Sequence, residues 1–251
     1  MSAVAGDRRR LDQLLVERGL AESRSRAKAL IEAGLVLADH RRADKPSQVL
    51  DENAALEVTG RDHPWVSRGG VKLAAALDHF EIDPTSLVAL DIGASTGGFT
   101  QVLLARGAAR VYAVDAGHDQ LAASLRADPR VIGLERQNAR ALTRAEIPEP
   151  VALITCDASF IGLETILPAP LALAAPSAWL VALIKPQFEV GPGRTGKGGV
   201  VRDPALQAET CARIAAWLER QPGWRGLGII DSPVTGGDGN REFLIAGRYQ
   251  P

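Results

Sequence analysis

The sequence has no broad positive charge, no cysteine framework and no uninterrupted apolar span, and each absence removes a class of function. Its 251 residues hold 29 Lys and Arg against 30 Asp and Glu, a formal net charge of −1. Any nucleic-acid ligand must therefore be met by a local basic patch rather than by the field of the whole chain. There are two cysteines, Cys156 and Cys211, far apart in sequence, and the four histidines (His40, His63, His79, His118) are scattered. No metal-ligand spacing and no disulfide pattern results, so no metal is expected and a reducing cytoplasm is the expected setting. The opening MSAVAGDRRRLDQ has no apolar stretch and does not read as a secretory leader. One charge-free segment, TILPAPLALAAPSAWLVALI (165–184), is long enough to span a bilayer. Pro168, Pro170 and Pro176 interrupt it, so a buried helical turn followed by a core strand is expected, with no membrane contact.

What is present reads as a small domain followed by a large one. In residues 1–62, RLDQLLVERG repeats Leu11, Leu14 and Leu15 at helical spacing, with Gly19 suited to end the helix. A second helix is expected in ESRSRAKALIEAG, with Ser23 as N-cap, Ala27, Leu30 and Ile31 on one face, and Gly34 at its end. Strands are expected at LVLAD (35–39) and AALEVTG (54–60). Residues 23–46 set Arg24, Arg26, Lys28, Arg41, Arg42 and Lys45 against Glu32, Asp39 and Asp44, a local positive excess. Such a patch suits phosphate contacts, or is simply a solvated helix face. A linker is expected over 63–70 and the large domain over 71–251.

In the large domain, apolar strands alternate with helices: LVALDIG (87–93), RVYAVDAG (110–117), RVIGLERQ (130–137), VALITCDAS (151–159) and WLVALIKP (179–186). Near-continuous apolar strands separated by helices imply a parallel sheet covered on both faces. A helix is expected at 204–223. WRGLGIIDSPV (224–234) and EFLIAGRY (242–249) are too close for a crossover helix and should form an antiparallel hairpin at the sheet edge. The expected fold class is α/β, with a class I (Rossmann-like) methyltransferase sheet behind a small N-terminal α+β domain.

The chemistry-bearing motifs lie at strand ends. DIGASTGGF (91–99) closes the first strand with glycines spaced G-x-x-x-G-G. The G-x-G-x-x-G spacing that a dinucleotide pyrophosphate requires is missing. Asp115 ends the second strand, where a carboxylate can take both hydroxyls of a ribose. Asn138 ends the third, at the height of an adenine. The candidate cofactor residues are Asp91, Gly93, Ser95, Gly97, Gly98, Phe99, Asp115, Asn138 and Asp157. The fourth strand ends in CDASF (156–160), which has neither the proline-rich clamp of base-amino methyltransferases nor a nucleophilic cysteine after proline. Cys156 reads as a buried apolar residue, and Asp157 lies in the crevice where α/β enzymes work. The fifth strand runs into Lys185. Taken singly, Lys72 in WVSRGGVKL and Glu242 in GGDGNREFL look like surface charges.

Together, WVSRGGVKL, DIGASTGGF, VYAVDAG, DPRVIGLERQNAR, CDASFIGL, LIKPQFEVG, GGVVRDP and SPVTGGDGNREFL resemble, in order, the TlyA (hemolysin A) family within the FtsJ-like ribose methyltransferases. The resemblance covers nearly the whole chain. It implies S-adenosylmethionine-dependent 2′-O-methylation of cytidines in ribosomal RNA, on RNA or ribosomal subunits, and an N-terminal domain of the helix-hairpin type found in a ribosomal protein. The family's Lys-Asp-Lys-Glu tetrad falls on Lys72, Asp157, Lys185 and Glu242. Lys185 is then the group that deprotonates or polarises the ribose hydroxyl. Arg24, Arg26, Lys28, Arg41, Arg42, Lys45 and Arg68 are the candidate RNA-binding residues, and a monomer is expected. One departure concerns the small domain: where the family carries a V-N-G-like turn, this chain reads LADHRRADKP. The glycine-rich EVGPGRTGKGGVVR (189–202) reads either as a segment closing over RNA or as an ordinary surface loop. The rival readings are a nicotinamide-dependent oxidoreductase, a non-catalytic ribosome-binding factor, and a pore-forming haemolysin suggested only by the family's label.

Overall fold

A computed structural model of the protein describes residues 8–21, 23–60, 63–191, 193–236 and 239–251. The expectation of no leader at residues 1–7, the domain boundary at 61–62, Pro192 of the glycine-rich loop and residues 237–238 of the terminal turn lie outside the described residues. The chain divides into two compact units, the boundary falling between Pro64 and Trp65.

In the first unit, β1 (Arg8–Arg10), α1 (Leu11–Glu17) and α2 (Arg24–Glu32) precede β2 (Val36–Ala38), β3 (Arg41–Arg42), β4 (Val49–Asp51) and β5 (Leu56–Val58). Leu11, Leu15, Ala27, Leu30, Ile31 and Val36 form its core, as the helical spacing requires. Ser23 caps α2 by accepting from Arg26 N at 3.2 Å. Gly19 and Gly34 follow the two helices with φ of +68° and +71°. β3-β2-β5 make a three-stranded sheet and β1-β4 a two-stranded one. β1, β3 and β4 were not expected from the sequence. They are two- or three-residue pairings rich in arginine, and they carry no apolar alternation to reveal them. The turn that departs from the family pattern is still a tight hairpin. Asp39 and His40 both take positive φ, 49° and 62°, between β2 and β3, the backbone that a two-residue type I′ turn demands. Asp39 is held there by exchanging hydrogen bonds with Ala55, its Oδ1 accepting from Ala55 N at 2.9 Å and its own N–H donating to Ala55 O at 2.8 Å.

The second unit opens with α3 (Gly69–His79), so the stretch expected as a linker to residue 70 ends inside a helix. β6 (Val88–Ile92), α4 (Gly98–Ala105), β7 (Arg110–Val114), α5 (Ala123–Arg126), β8 (Val131–Leu134) and β9 (Val151–Cys156) follow. Then come the short helices α6 (Leu163–Ile166) and α7 (Pro168–Leu171), β10 (Ala174–Ile184), α8 (Pro186–Glu189), α9 (Pro204–Glu219), β11 (Trp224–Asp231) and β12 (Phe243–Tyr249). They build one seven-stranded sheet in the order β11-β12-β10-β9-β6-β7-β8. β8, β7, β6, β9 and β10 are parallel. β12 inserts antiparallel between β10 and β11, giving the expected terminal hairpin. Each face of the sheet is covered by its own apolar cluster, one with Leu90, Ile154, Leu180 and Trp217, the other with Leu73, Leu103, Val181 and Leu244. The charge-free segment 165–184 resolves into two helical turns and the buried strand β10. Among the described residues no helix is long and apolar enough to cross a membrane.

Candidate active site

The parallel strands all end on one edge of the sheet, and there the side chains of distant segments meet. A cleft of about 580 Å³ opens at the ends of β6, β7, β8 and β9. Of the candidate cofactor residues, Gly93, Ser95, Asp115, Asn138 and Asp157 line it. Gly93 has φ +75°, and a Cβ there would stand 2.9 Å from the Asp157 carbonyl oxygen and 3.0 Å from Ala158 N. Only glycine allows the ends of β6 and β9 to approach so closely. Asp115 has its carboxylate fixed by two backbone amides, Oδ2 accepting from Ser95 N at 2.8 Å and Oδ1 from Gly117 N at 2.7 Å. Each oxygen keeps a lone pair, so the carboxylate is preset to accept two further hydroxyls. Asn138 caps a helical turn over Ala139–Ala141 and accepts from Arg140 N at 3.1 Å.

Four expected cofactor residues lie elsewhere. Asp91 is fully buried beneath the cleft, accepting from Thr100 Oγ1 at 2.7 Å and Thr155 Oγ1 at 3.0 Å. Burial pushes its carboxyl up to about 6, against the opposing effect of these hydroxyls. It ties β6 to α4 and β9 and does not line the cleft. Gly97 is the N-cap of α4. At Gly98 a Cβ would come within 2.9 Å of Gly70 N, so its role is close packing of α4 against α3. Phe99 is a core residue, 3% exposed. The glycine motif thus divides: its first half shapes the cleft and its second half docks a helix.

The four expected catalytic residues gather as two ion pairs. Lys72 Nζ on α3 meets Glu242 Oε2, just before β12, at 2.6 Å. Lys185, at the end of β10, places Nζ 2.6 Å from Asp157 Oδ1, at the end of β9, as an ion pair rather than an aligned hydrogen bond. Lys185 also donates to Ser159 Oγ at 3.0 Å. Lys72, Lys185 and Glu242 are buried polar groups. Each lysine is therefore held in a dry place with its charge compensated. Asp157 belongs both to the second pair and to the cleft wall. Cys156, next to it, is fully buried, and burial pushes its thiol up to about 12, which makes it a core residue and no nucleophile.

Several residues of this site carry no signal of their own in the sequence. Ser159 and Gln187 sit inside the quoted motifs CDASF and KPQFE, as the polar neighbours of the two ion pairs. Phe160 lines the cleft with its side chain 89% exposed and its backbone at φ +65°, and it stacks on Phe188 at 4.9 Å between ring centroids. Gln120, Arg136, Gln137 and Arg140 complete the lining. The far end of the glycine-rich loop is fastened down. Val201 N donates to Asn240 Oδ1 at 3.0 Å, and Gln207 Nε2 donates to Val201 O at 2.7 Å.

The candidate RNA-binding residues of the first unit are not equivalent. Arg24 donates to Asp12 Oδ2 at 2.7 Å, and Asp12 is buried. The bond from Arg10, and then that from Arg24, hold the Asp12 carboxyl below the usual range against its partial burial. Lys28 pairs with Glu32 at 3.6 Å and Arg42 with Asp44 at 3.5 Å. Arg26 is half-buried. Arg41 and Lys45 are exposed, with no ion pair among the described residues. Arg68, half-buried, precedes α3 in the second unit.

Known proteins repeat this organisation. The pattern of the FtsJ-like methyltransferase family matches residues 65–249, and that of the S4 domain matches residues 9–56. The chain is 49% identical to the 16S/23S rRNA (cytidine-2′-O)-methyltransferase TlyA of Mycobacterium tuberculosis, over 97% of this chain and 91% of the relative. It is 36% identical to Hemolysin A of Brachyspira hyodysenteriae, over 94% and 98% of the two chains. A solved structure from Streptococcus thermophilus, provisionally named a hemolysin, superposes with a TM-score of 0.77 at 38% identity, covering 97% of this chain and 89% of that one. With an S4 domain in front and the seven-stranded sheet behind, the chain belongs to the TlyA (hemolysin A) group of the FtsJ-like methyltransferase family.

Proposed function

We propose that this protein is an rRNA (cytidine-2′-O)-methyltransferase that uses S-adenosylmethionine, with Lys72, Asp157, Lys185 and Glu242 as its catalytic residues. The observation that carries the reading is the pair of buried lysine–carboxylate contacts at the strand ends, one of which shares Asp157 with the cleft. The cleft residues fit the cofactor: a preset carboxylate at Asp115 for ribose hydroxyls, a Cβ-free wall at Gly93, and Asn138 farther along. When bound, the cofactor supplies a methyl group activated by its sulfonium.

A ribose hydroxyl is a weak nucleophile at neutral pH, so this chain's own residues must align it and draw off its proton. Lys185 Nζ is the group placed for that task. Asp157 and Ser159 fix its position, and the Lys72–Glu242 pair flanks it. Phe160, exposed at the cleft mouth, offers an aromatic face to a nucleotide base. General-base assistance is worth about 10²–10⁴ in rate, and correct alignment contributes further. Transfer from a sulfonium to oxygen needs no metal. In this reading the S4 unit holds ribosomal RNA or a ribosomal subunit through Arg41, Lys45 and their neighbours, and the second unit performs the chemistry. The protein then works as a monomer in the cytoplasm.

The test is transfer of tritium from labelled S-adenosylmethionine to ribosomal subunits, followed by mapping of 2′-O-methylated cytidines. Lys185→Ala should fold and bind cofactor yet lose at least about 100-fold in single-turnover rate. Transfer by wild type excludes a binding-only factor and a pore-former as the whole activity. Near wild-type rates for Lys185→Ala would remove the mechanism.

A further inference from the structure

The two ion pairs have no direct bond to one another among the described residues, yet they must act on one hydroxyl. The side chain between them is Gln187. It lies two residues past Lys185, in α8, whose first residue is Pro186. Its Nε2 donates to Glu242 Oε1 at 3.2 Å, while Lys72 takes the other oxygen, Oε2, at 2.6 Å. Glu242 thus receives a charged donor on one side and a neutral donor on the other. The short segment Lys185-Pro186-Gln187 touches Asp157 at one end and Glu242 at the other. Proline fixes φ in the middle, so the two ends cannot move independently.

The remaining atom of this amide is informative. Gln187 Oε1 is buried without a hydrogen-bond partner among the described residues. A buried acceptor left unmade carries a desolvation penalty, and such groups in folded proteins call for an explanation beyond stability. The chemistry narrows the choice of side chain. A lysine or arginine here would compete with Lys72 for the carboxylate, and an acid would repel it. An amide donates without changing the net charge of the four-residue set.

We propose that Gln187 is a positioning residue for methyl transfer, one that fixes the rotation of the Glu242 carboxylate and couples the Lys72–Glu242 pair to the segment carrying Lys185. The inference rests on the reading of these pairs as the transfer site.

Two variants of the full chain test it, with tritiated S-adenosylmethionine and ribosomal subunits at saturation. Gln187→Met keeps the side-chain length and removes both the donor and the unpartnered oxygen. Its melting temperature should equal or exceed that of wild type, with cofactor affinity within about two-fold, while the single-turnover rate falls by about 10- to 100-fold. Gln187→Glu keeps the shape but sets a carboxylate against Glu242, with Lys72 as the only facing cation. At alkaline pH its rate should be low. As the pH falls, two carboxylates this close share a proton, a donor to Glu242 is restored, and the deficit relative to wild type should narrow. A wild-type rate for Gln187→Met overturns the proposal. So does a melting temperature that falls in step with the rate, together with a Gln187→Glu deficit that is constant with pH, since that marks a purely structural role. A wild-type chain that transfers no methyl removes the parent reading as well, which keeps the two failures distinct.

Discussion

The Lys72–Glu242 pair allows catalysis and folding to be separated in one set of variants. The side chains are 10% and 3% exposed and meet at 2.6 Å. Replacing Lys72 with Met removes the cation and leaves a buried carboxylate with one neutral donor, Gln187. Breaking a buried pair from one side costs about 3–5 kcal/mol, because the surviving charge is left uncompensated. For a domain of roughly 150–250 residues each kcal/mol corresponds to roughly 2–4 °C, so the second unit should melt about 10 °C lower. Glu242→Gln, which leaves a buried ammonium facing an amide, should fall by a similar amount. The double variant Lys72→Met/Glu242→Gln has no buried charge left, and replacing a whole pair by neutral groups of similar volume is often neutral or stabilising. It should therefore recover to within about 1 kcal/mol of wild type while remaining as inactive as either single variant. Urea unfolding gives the stabilities and single-turnover methylation gives the rates. Single variants that stay within about 1 kcal/mol of wild type would refute the claim that the pair is dry. A double variant that regains activity along with stability would show that the charges serve folding alone.

Two further outcomes follow from the geometry. Asp91 ionises in the unfolded chain near 3.8 but in the folded protein only near 6, so its destabilisation is absent below about pH 4, grows as the pH rises through that window and is complete above about pH 6. Asp91→Asn should therefore stabilise by about 1–3 kcal/mol at pH 7.5 and by nothing near pH 4 with cofactor affinity unchanged, and equal effects in urea melts at both pH values would contradict this. In the first unit, Arg41→Glu/Lys45→Glu should weaken RNA binding and flatten its dependence on log salt by about one unit for each phosphate no longer held, whereas Arg24→Glu should chiefly destabilise the fold by stripping buried Asp12 of a partner. Titrations at several salt concentrations check this, and an unchanged slope for the double variant would leave these residues as solvated surface.

Much of this architecture is legible in the sequence because burial imposes itself on residue type. Strands covered on both faces must be apolar along their length, so β6, β7, β9 and β10 announce themselves, and a charged residue ending such a strand, like Lys185 or Asp157, stands out against that background. The short connection between β11 and β12 is as informative, since only a hairpin fits. The arginine-rich β1 and β3 are hidden, because exposed two- and three-residue pairings place no demand on side-chain polarity. A strand-end position also fixes height on the sheet but not depth. Asp91 and Asp115 both belong to strand-end motifs, yet Asp91 turns under the sheet to two threonines and Asp115 turns into the cleft. Lys72 and Glu242, 170 positions apart, look like surface charges until the fold joins them. Only the family resemblance assigned them in advance.

The charge arithmetic of the site explains how such residues come to be buried at all. Two lysines and two carboxylates sum to zero, so the sheet edge holds four ionised groups without net charge, and each is desolvated against a partner of opposite sign. A site built this way attracts no polyanion by itself. Attraction for RNA must come from arginines and lysines that keep their charge in water, such as Arg41 and Lys45 in the first unit and the exposed Arg136 and Arg140 at the cleft. Such groups lose their pull as salt screens them, whereas contacts buried within the protein are screened far less. Capture of the substrate and transfer of the methyl group are then carried by different charges under different screening. The division lets a chain with no overall positive field handle a polyanion, and it leaves the lysines of the transfer site committed to their carboxylates rather than to the phosphate backbone.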